Sequence, residues 1–263
     1  MKDILNSELY SIRKSGMTIR IYLLFVVIMV LVTVINVVNS DERFASAEGC
    51  IVDNPTLTSL FPIFIVGFIV AAFCGEDFKD KVGNYEIMSG HSRGQIFLGR
   101  SIPAIIVSGV GATILAFIPL VSGSIFFEPG DIVPVGDIII RQLLFIFPFM
   151  RLAAFFVFVT FMVKSNYMTM ILGFLVFNAH AVLADMVTNS KSYLLSLFNL
   201  NMLTDYSGWS LYNVSGNGGV IEYTAYKSAV SPELVIGTIL ISLLMIAVYM
   251  IAGYAFFRRD DIS

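Results

Sequence analysis

The sequence predicts an all-α polytopic membrane protein with six transmembrane helices and both termini on the cytoplasmic side. An N-terminal amphipathic helix lies at the interface, and re-entrant outer helices fall between spans five and six. Three observations lead there. The 263 residues are 57% hydrophobic and only 13% charged, whereas about a quarter of the residues in a soluble domain are charged. Apolar runs of roughly 20 residues recur, the length needed to cross a bilayer as helix. Lys and Arg are concentrated in alternate loops, which sets orientation.

Residues 1–20 come first. Met1, Leu5, Leu9, Ile12 and Gly16 share one helical face, and Lys2, Asn6, Arg13 and Lys14 lie on the other. With no soluble core to pack on, such a helix belongs flat on the membrane surface. The first span is Ile21–Val38. The triplet Ala45-Ser46-Ala47 resembles a signal-peptidase site, but the preceding apolar run is longer than a signal h-region and ends well before the triplet. The run is therefore expected to be retained. An acidic loop over 39–56 follows, then the second span, Leu57–Cys74.

Residues 75–95, GEDFKDKVGNYEIMSGHSRGQ, form a polar island between apolar runs. Its charges exclude it from hydrocarbon. Phe78, Val82 and Tyr85 nevertheless recur at i, i+4 and i+7, one face of a short helix. The spacing leaves two readings open: a solvated connector that folds back on the membrane helices, or a docking element for another protein. Gly90 breaks the chain, and Ser92-Arg93-Gly94-Gln95 has the pattern of a capping box that opens the next helix.

The third span is Ile96–Val121, with Arg100 one turn inside its start. A turn region with Pro129, Gly130 and Pro134 leads to the fourth, Ile138–Val163, which holds Arg141, Pro148 and Arg151. Lys164-Ser165-Asn166 is a tight turn before the fifth, Tyr167–Met186. The outer segment 187–232 contains an apolar stretch over 193–203, too short to cross and therefore re-entrant or surface-lying. A Gly- and Tyr-rich stretch with Trp209 follows it, with rings suited to the headgroup level. The sixth span is Glu233–Phe257, followed by Arg258-Arg259-Asp260-Asp261. One set of loops carries ten Lys and Arg: Lys2, Arg13, Lys14, Arg20, Lys79, Lys81, Arg93, Lys164, Arg258 and Arg259. The other carries Arg43, Lys191 and Lys227. Both termini and the island are therefore expected inside.

The chemistry that is missing is informative. There is no Gly-Lys dipeptide, hence no phosphate-binding loop of the Walker type, and no His-Glu-x-x-His or Cys-x-x-Cys. His91 and His180 lie too far apart in the topology to share a metal, so no metal site and no catalytic residues are expected. Cys50 and Cys74 fall on opposite sides of the proposed second span and form neither a disulfide framework nor a metal pair. A net charge of −3 argues against nucleic-acid binding.

The polar residues inside spans remain. Arg151 is about 12 residues from the cytoplasmic end of span four, roughly 18 Å at 1.5 Å per residue. His180 is about 13 residues from the cytoplasmic end of span five, roughly 20 Å by the same rise. Both fall near the bilayer middle, with Asn178 close by. A charge there costs about 2.5–3.5 kcal/mol on insertion scales and faces protein or a water-filled cavity. Pro148 frees the carbonyl of Leu144, so a structural role is favoured for Arg151 and an interhelical hydrogen bond for His180.

Taken together, the surface helix MKDILNSELYSIRKSG, the loop CGEDFKDKVGNYEIMSGHSRGQIFLGR, the long outer segment before span six and the tail FFRRDDIS resemble the membrane subunits of ABC-2 type exporters. Size and composition are most similar to the subfamily serving bacteriocin and lantibiotic immunity or peptide export. The resemblance implies a single permease domain over 1–263 in a bacterial plasma membrane. It implies a docking role on an ATP-hydrolysing subunit for Glu76, Asp77, Phe78, Val82, Tyr85 and Arg93. ATP and Mg would bind that partner, in two copies, and no cofactor would bind this chain. A second permease copy or a sister permease would complete the path for an amphipathic peptide. An exporter of a drug or lipid-like antibiotic, and a membrane sensor or scaffold without transport, are the alternatives. A secondary transporter is disfavoured, because the spans carry no carboxylate away from their ends.

Overall fold

The structure, a computed structural model, describes residues 10, 14, 16–39, 55–79, 87–126, 135–173, 175, 210–216, 219–225, 230 and 232–259. Seven helices are labelled in chain order: α1 (Gly16–Asn39), α2 (Pro55–Lys79), α3 (Arg93–Ala116), α4 (Ile118–Phe126), α5 (Val135–Leu144), α6 (Ile146–Val163) and α7 (Pro232–Arg259). Residues 166–173 are also helical. Thr18–Ile35, Arg93–Ile125, Val135–Val163 and Val235–Arg258 are long and apolar enough to cross a membrane, and α2 adds a shorter apolar stretch, Pro62–Gly75. These lengths mark the chain as a helical membrane protein. The described residues do not reach a count of six, because the expected fifth span is described only over 167–173 and at 175. Of the expected interfacial helix, only Tyr10, Lys14 and residues 16–20 are described. There the Lys14 ammonium sits 5.6 Å from the centre of the Tyr10 ring.

The two longest stretches are each interrupted once. Phe117 separates α3 from α4 two residues before Pro119, and Phe145 separates α5 from α6 three residues before Pro148. A proline supplies no N–H to the carbonyl four residues earlier and crowds it. The helix therefore resets locally: the Phe117 N–H donates to the Ile114 carbonyl at 3.2 Å, a tightened turn.

The helices pack around α6, which touches α2, α3 and α7. Its ring contacts with α7 fix their relative direction. Phe155 meets Tyr249, Phe158 meets Phe256 and Phe161 meets Phe257, so the two run parallel. Gly67 of α2 lies against Phe156 and Gly75 against Asn166, so α2 is parallel as well. α3 is antiparallel, with Phe97 on Phe161 and Gly109 on Met150. Since α6 and α7 are parallel, α6 ends and α7 begins at opposite ends of the bundle.

Helices approach closely at Phe156. A Cβ on Gly67 would lie 2.8 Å from its ring, and a Cβ on Gly173 would also collide with it. Two glycines on two segments leave room for one ring between them. Small residues at such crossings let helices approach where burial against lipid gives little driving force. In the periphery, Ile19, Leu23, Val27, Leu31 and Ile35 of α1 are all exposed and recur every four residues, one continuous stripe.

Among the described residues, the structure departs from an all-α fold in one place. Ser210–Gly216 (β1) and Gly219–Ala225 (β2) pair antiparallel, with Gly216 opposite Gly219. This ladder lies where the sequence suggested aromatic rings at headgroup level after re-entrant helices. The two strands are separated in the sequence by Asn217-Gly218, the dipeptide preferred in two-residue hairpin loops. The stretch expected to be re-entrant, 193–203, lies outside the described residues.

Candidate functional site

Two regions concentrate the residues singled out by the sequence. The first is the island. Its N-terminal part is not a separate helix, because α2 runs without interruption from the apolar stretch to Lys79. Glu76, Asp77 and Phe78 therefore continue a membrane helix into the polar region. No proline intervenes, and Gly75 does not break the helix. It is buried and packed against Asn166 of the 164–166 turn, where a side chain would overlap the Asn166 amide. Lys164 adopts the left-handed conformation in that turn (φ 56°), and its N–H caps the Thr160 carbonyl at 2.7 Å. Val82, Tyr85 and Glu86 lie outside the described residues.

The C-terminal part of the island is built as the sequence suggested. Gly90 has φ 94°, a conformation that glycine adopts without strain. Ser92 then caps α3 in both directions. The Gln95 N–H donates to the Ser92 hydroxyl at 3.3 Å, and the Ser92 N–H donates to the Gln95 side-chain carbonyl at 3.2 Å. Arg93, expected at the rim of a docking face, has an intrachain partner. Its guanidinium donates to the Arg258 carbonyl at 2.9 Å, placing a cation at the negative end of α7. Beneath it, Phe97 packs against Phe161, Tyr254 and Phe257. The base of the island is thus joined to both α6 and α7.

The second region is inside the bundle. Among the described residues, the buried charged side chains are three arginines: Arg100, Arg141 and Arg151. Arg151 is 8% exposed. It shares a stripe of α6 with Phe155 and Phe158 at i+4 and i+7, and those two rings hold Tyr249 of α7 at 5.5 and 6.4 Å between centroids. Tyr249 therefore lies on the face of α7 turned toward the stripe of α6 that carries Arg151. Ser242 lies two turns before Tyr249 on the same stripe of α7. It is 1% exposed, and its hydroxyl has no hydrogen-bond partner among the described residues. Because the helices are parallel, stepping back seven residues from the 155–158 level puts Ser242 beside residues 148–151. Arg151, Ser242 and Tyr249 therefore share one seam.

Asn178 and His180, expected near the depth of Arg151, lie outside the described residues. Ser242 and Tyr249 were not singled out from the sequence: a serine and a tyrosine in an apolar run carry no mark of the face they occupy. Gln142 on α5 was missed as well. It is fully buried, and neither amide atom has a hydrogen-bond partner among the described residues. Most buried hydroxyls are satisfied within their own helices, as in Ser108 to Ala104 at 2.6 Å and Thr160 to Phe156 at 2.7 Å. Two buried serines, Ser101 on α3 and Ser242 on α7, lack such a partner among the described residues. Among the described residues, no cluster of His, Cys, Asp and Glu has the makeup of a metal site. No protein-family model matches the chain, and no curated protein does.

Proposed function

We propose that the chain is the membrane-spanning permease subunit of an ATP-driven ABC-2 type exporter in a bacterial plasma membrane. It exports an amphipathic molecule, a bacteriocin- or lantibiotic-like peptide or a lipid-like antibiotic, with ATP and Mg bound by a separate ATPase subunit. Two permeases, identical or sister chains, pair with two ATPases. The observation that carries this reading is the continuity of α2 through Glu76, Asp77 and Phe78 to Lys79. A membrane helix that extends stiffly into a polar loop passes a push on the loop directly to the bundle, and α2 packs on α6 within that bundle. A connector serving only to join two spans needs no such extension. The proposed topology is six spans with both termini inside. Its fifth crossing is supported by the parallel run of α6 and α7, which requires the intervening chain to return across the bundle.

The docking face comprises Phe78, Val82 and Tyr85, with Glu76, Asp77 and Arg93 around it. Apolar burial supplies affinity at about 25 cal/mol per Å² before association costs, while rim charges set registration and salt dependence. Val82→Asp is expected to abolish pull-down of the ATPase by tagged permease and to leave membrane insertion normal, with Lys81→Ala having far less effect. Intact pull-down and substrate-stimulated ATP hydrolysis in an inserted Val82→Asp protein would return the island to a connector. Orientation is tested with a membrane-impermeant thiol reagent on intact cells. Cys74 is 1% exposed and shielded in either orientation, so labelling at Cys50 decides, and labelling there is expected.

A further inference from the structure

The α6–α7 seam suggests what the transported molecule carries. Arg151 contributes a guanidinium, whose planar donors match carboxylate and phosphate oxygens. Ser242 is buried, its hydroxyl without a hydrogen-bond partner among the described residues, and Tyr249 brings a second hydroxyl to the same seam, its ring held by Phe155 and Phe158 on the stripe of α6 that carries Arg151. The three side chains come from facing stripes of two parallel helices and span about two turns, roughly 10 Å of axis at 1.5 Å per residue. A buried hydroxyl without a partner is costly where no water competes; Ser108 and Ser122 avoid that cost by bonding their own helix, whereas Ser242, like Ser101 on α3, makes no such bond among the described residues. The position of α7 supplies the route in. Only 11% of its apolar window is buried, against 67% for the α5–α6 span, so one peripheral helix separates the seam from lipid.

We infer that Arg151, Ser242 and Tyr249 form a binding site for the anionic head group, carboxylate or phosphate, of an amphipathic molecule that enters from the bilayer between α6 and α7. This deepens the export reading by naming the chemistry of its substrate. The head group receives bonds from the guanidinium and the two hydroxyls while its apolar tail stays beside α7, against Leu240, Leu243 and Leu244, all exposed on that helix.

The test uses the purified full chain in detergent without any ATPase, so its outcome is independent of whether the island docks one. Thermal melting is followed during titration with dodecyl phosphate, dodecanoate and uncharged dodecanol. One or both anions are expected to raise the midpoint saturably, and dodecanol is not; the stronger anion identifies phosphate or carboxylate as the preferred group. Ser242→Ala and Tyr249→Phe each remove one oxygen and are expected to weaken the apparent anion affinity about tenfold, the loss of one hydrogen bond to a charged group. Arg151→Gln is expected to abolish the anion response. If Arg151→Gln does not fold, the two single-oxygen variants decide the matter. An equal response to dodecanol, or an anion response unchanged in both single-oxygen variants, would overturn the site.

Discussion

α1 and α6 are both helices of aliphatic and aromatic residues that composition cannot tell apart, yet they occupy opposite situations. Only 11% of the apolar window of α1 is buried, while the α5–α6 span is 67% buried and is packed by helices on three sides. In water, hydrophobicity would draw both inside. In a bilayer, lipid solvates an apolar stripe as well as protein does, so position is settled by close packing and by polar groups that lipid cannot satisfy. α6 has both: a ring held between Gly67 and Gly173, and Arg151 facing α7. α1 presents a stripe of branched aliphatics and buries little beyond Met29 and Thr33.

The largest way to break this contrast is to fill the socket. Gly67→Leu places a branched side chain where even a Cβ would lie 2.8 Å from the Phe156 ring. Neither α2 nor α6 gives way without losing its other contacts. Loss of folded protein is expected, read as aggregation on size-exclusion chromatography. Phe156→Ala tests the same socket from the other side and is milder, with core truncations of this kind costing about 3–5 kcal/mol. A Gly67→Leu protein that purifies with a wild-type melting midpoint would show that the socket does not hold the bundle together.

Next in size is Arg151→Leu. The substitution removes a charge whose insertion is costly, but also the bonds that the buried guanidinium makes within the bundle. Interhelical polar contacts in membranes average about 0.6 kcal/mol, with some near 1.7. The expected result is a modestly lowered melting midpoint, worth about 1 kcal/mol on that scale. A midpoint unchanged without ligand, together with a lost response to dodecyl phosphate, would assign Arg151 to ligand binding rather than to holding α6 against α7.

How much of this was legible follows from which features are local. The Ser92 capping box, the 164–166 turn and the reset before Pro148 are each fixed within a few residues, and the sequence displays them. The described helices α3, α6 and α7 end close to the expected spans because a long apolar run ends where charge begins, whereas the α2 helix outlasts its apolar run. That continuation was missed because periodicity alone cannot say whether Phe78 begins a helix or extends one. The β1–β2 ladder was also readable: two seven-residue stretches flank Asn217-Gly218, but the rings there drew the reading toward the headgroup level. In the candidate site, Arg151 stood out because a charge within an apolar run is visible in the sequence. Ser242 and Tyr249 did not, since their facing depends on the parallel register of α6 and α7, which ring contacts far apart in sequence establish. The Phe156 socket was equally hidden, because glycine is common in membrane helices whether or not anything packs on it.

The smallest expected effect lies on α1. Leu31 is 55% exposed and sits in the middle of the stripe formed by Ile19, Leu23, Val27, Leu31 and Ile35. If lipid covers that stripe, Leu31→Ala exchanges one apolar surface for a smaller one against acyl chains that adjust to it. No cavity is left of the kind that makes buried truncations costly. The change in stability should then stay within about 0.5 kcal/mol, as for substitutions away from packed features, and the oligomeric state should not move. A second permease copy seated on the stripe would give a different result, because leucine would then fill a fixed interface. Leu31→Ala would shift the purified permease toward a smaller species, and Leu243→Ala, 51% exposed on α7, would serve as the lipid-facing control. A loss confined to Leu31→Ala would therefore convert α1 from a lipid-covered edge into the contact between permeases and remove the contrast with α6 on which the comparison rests.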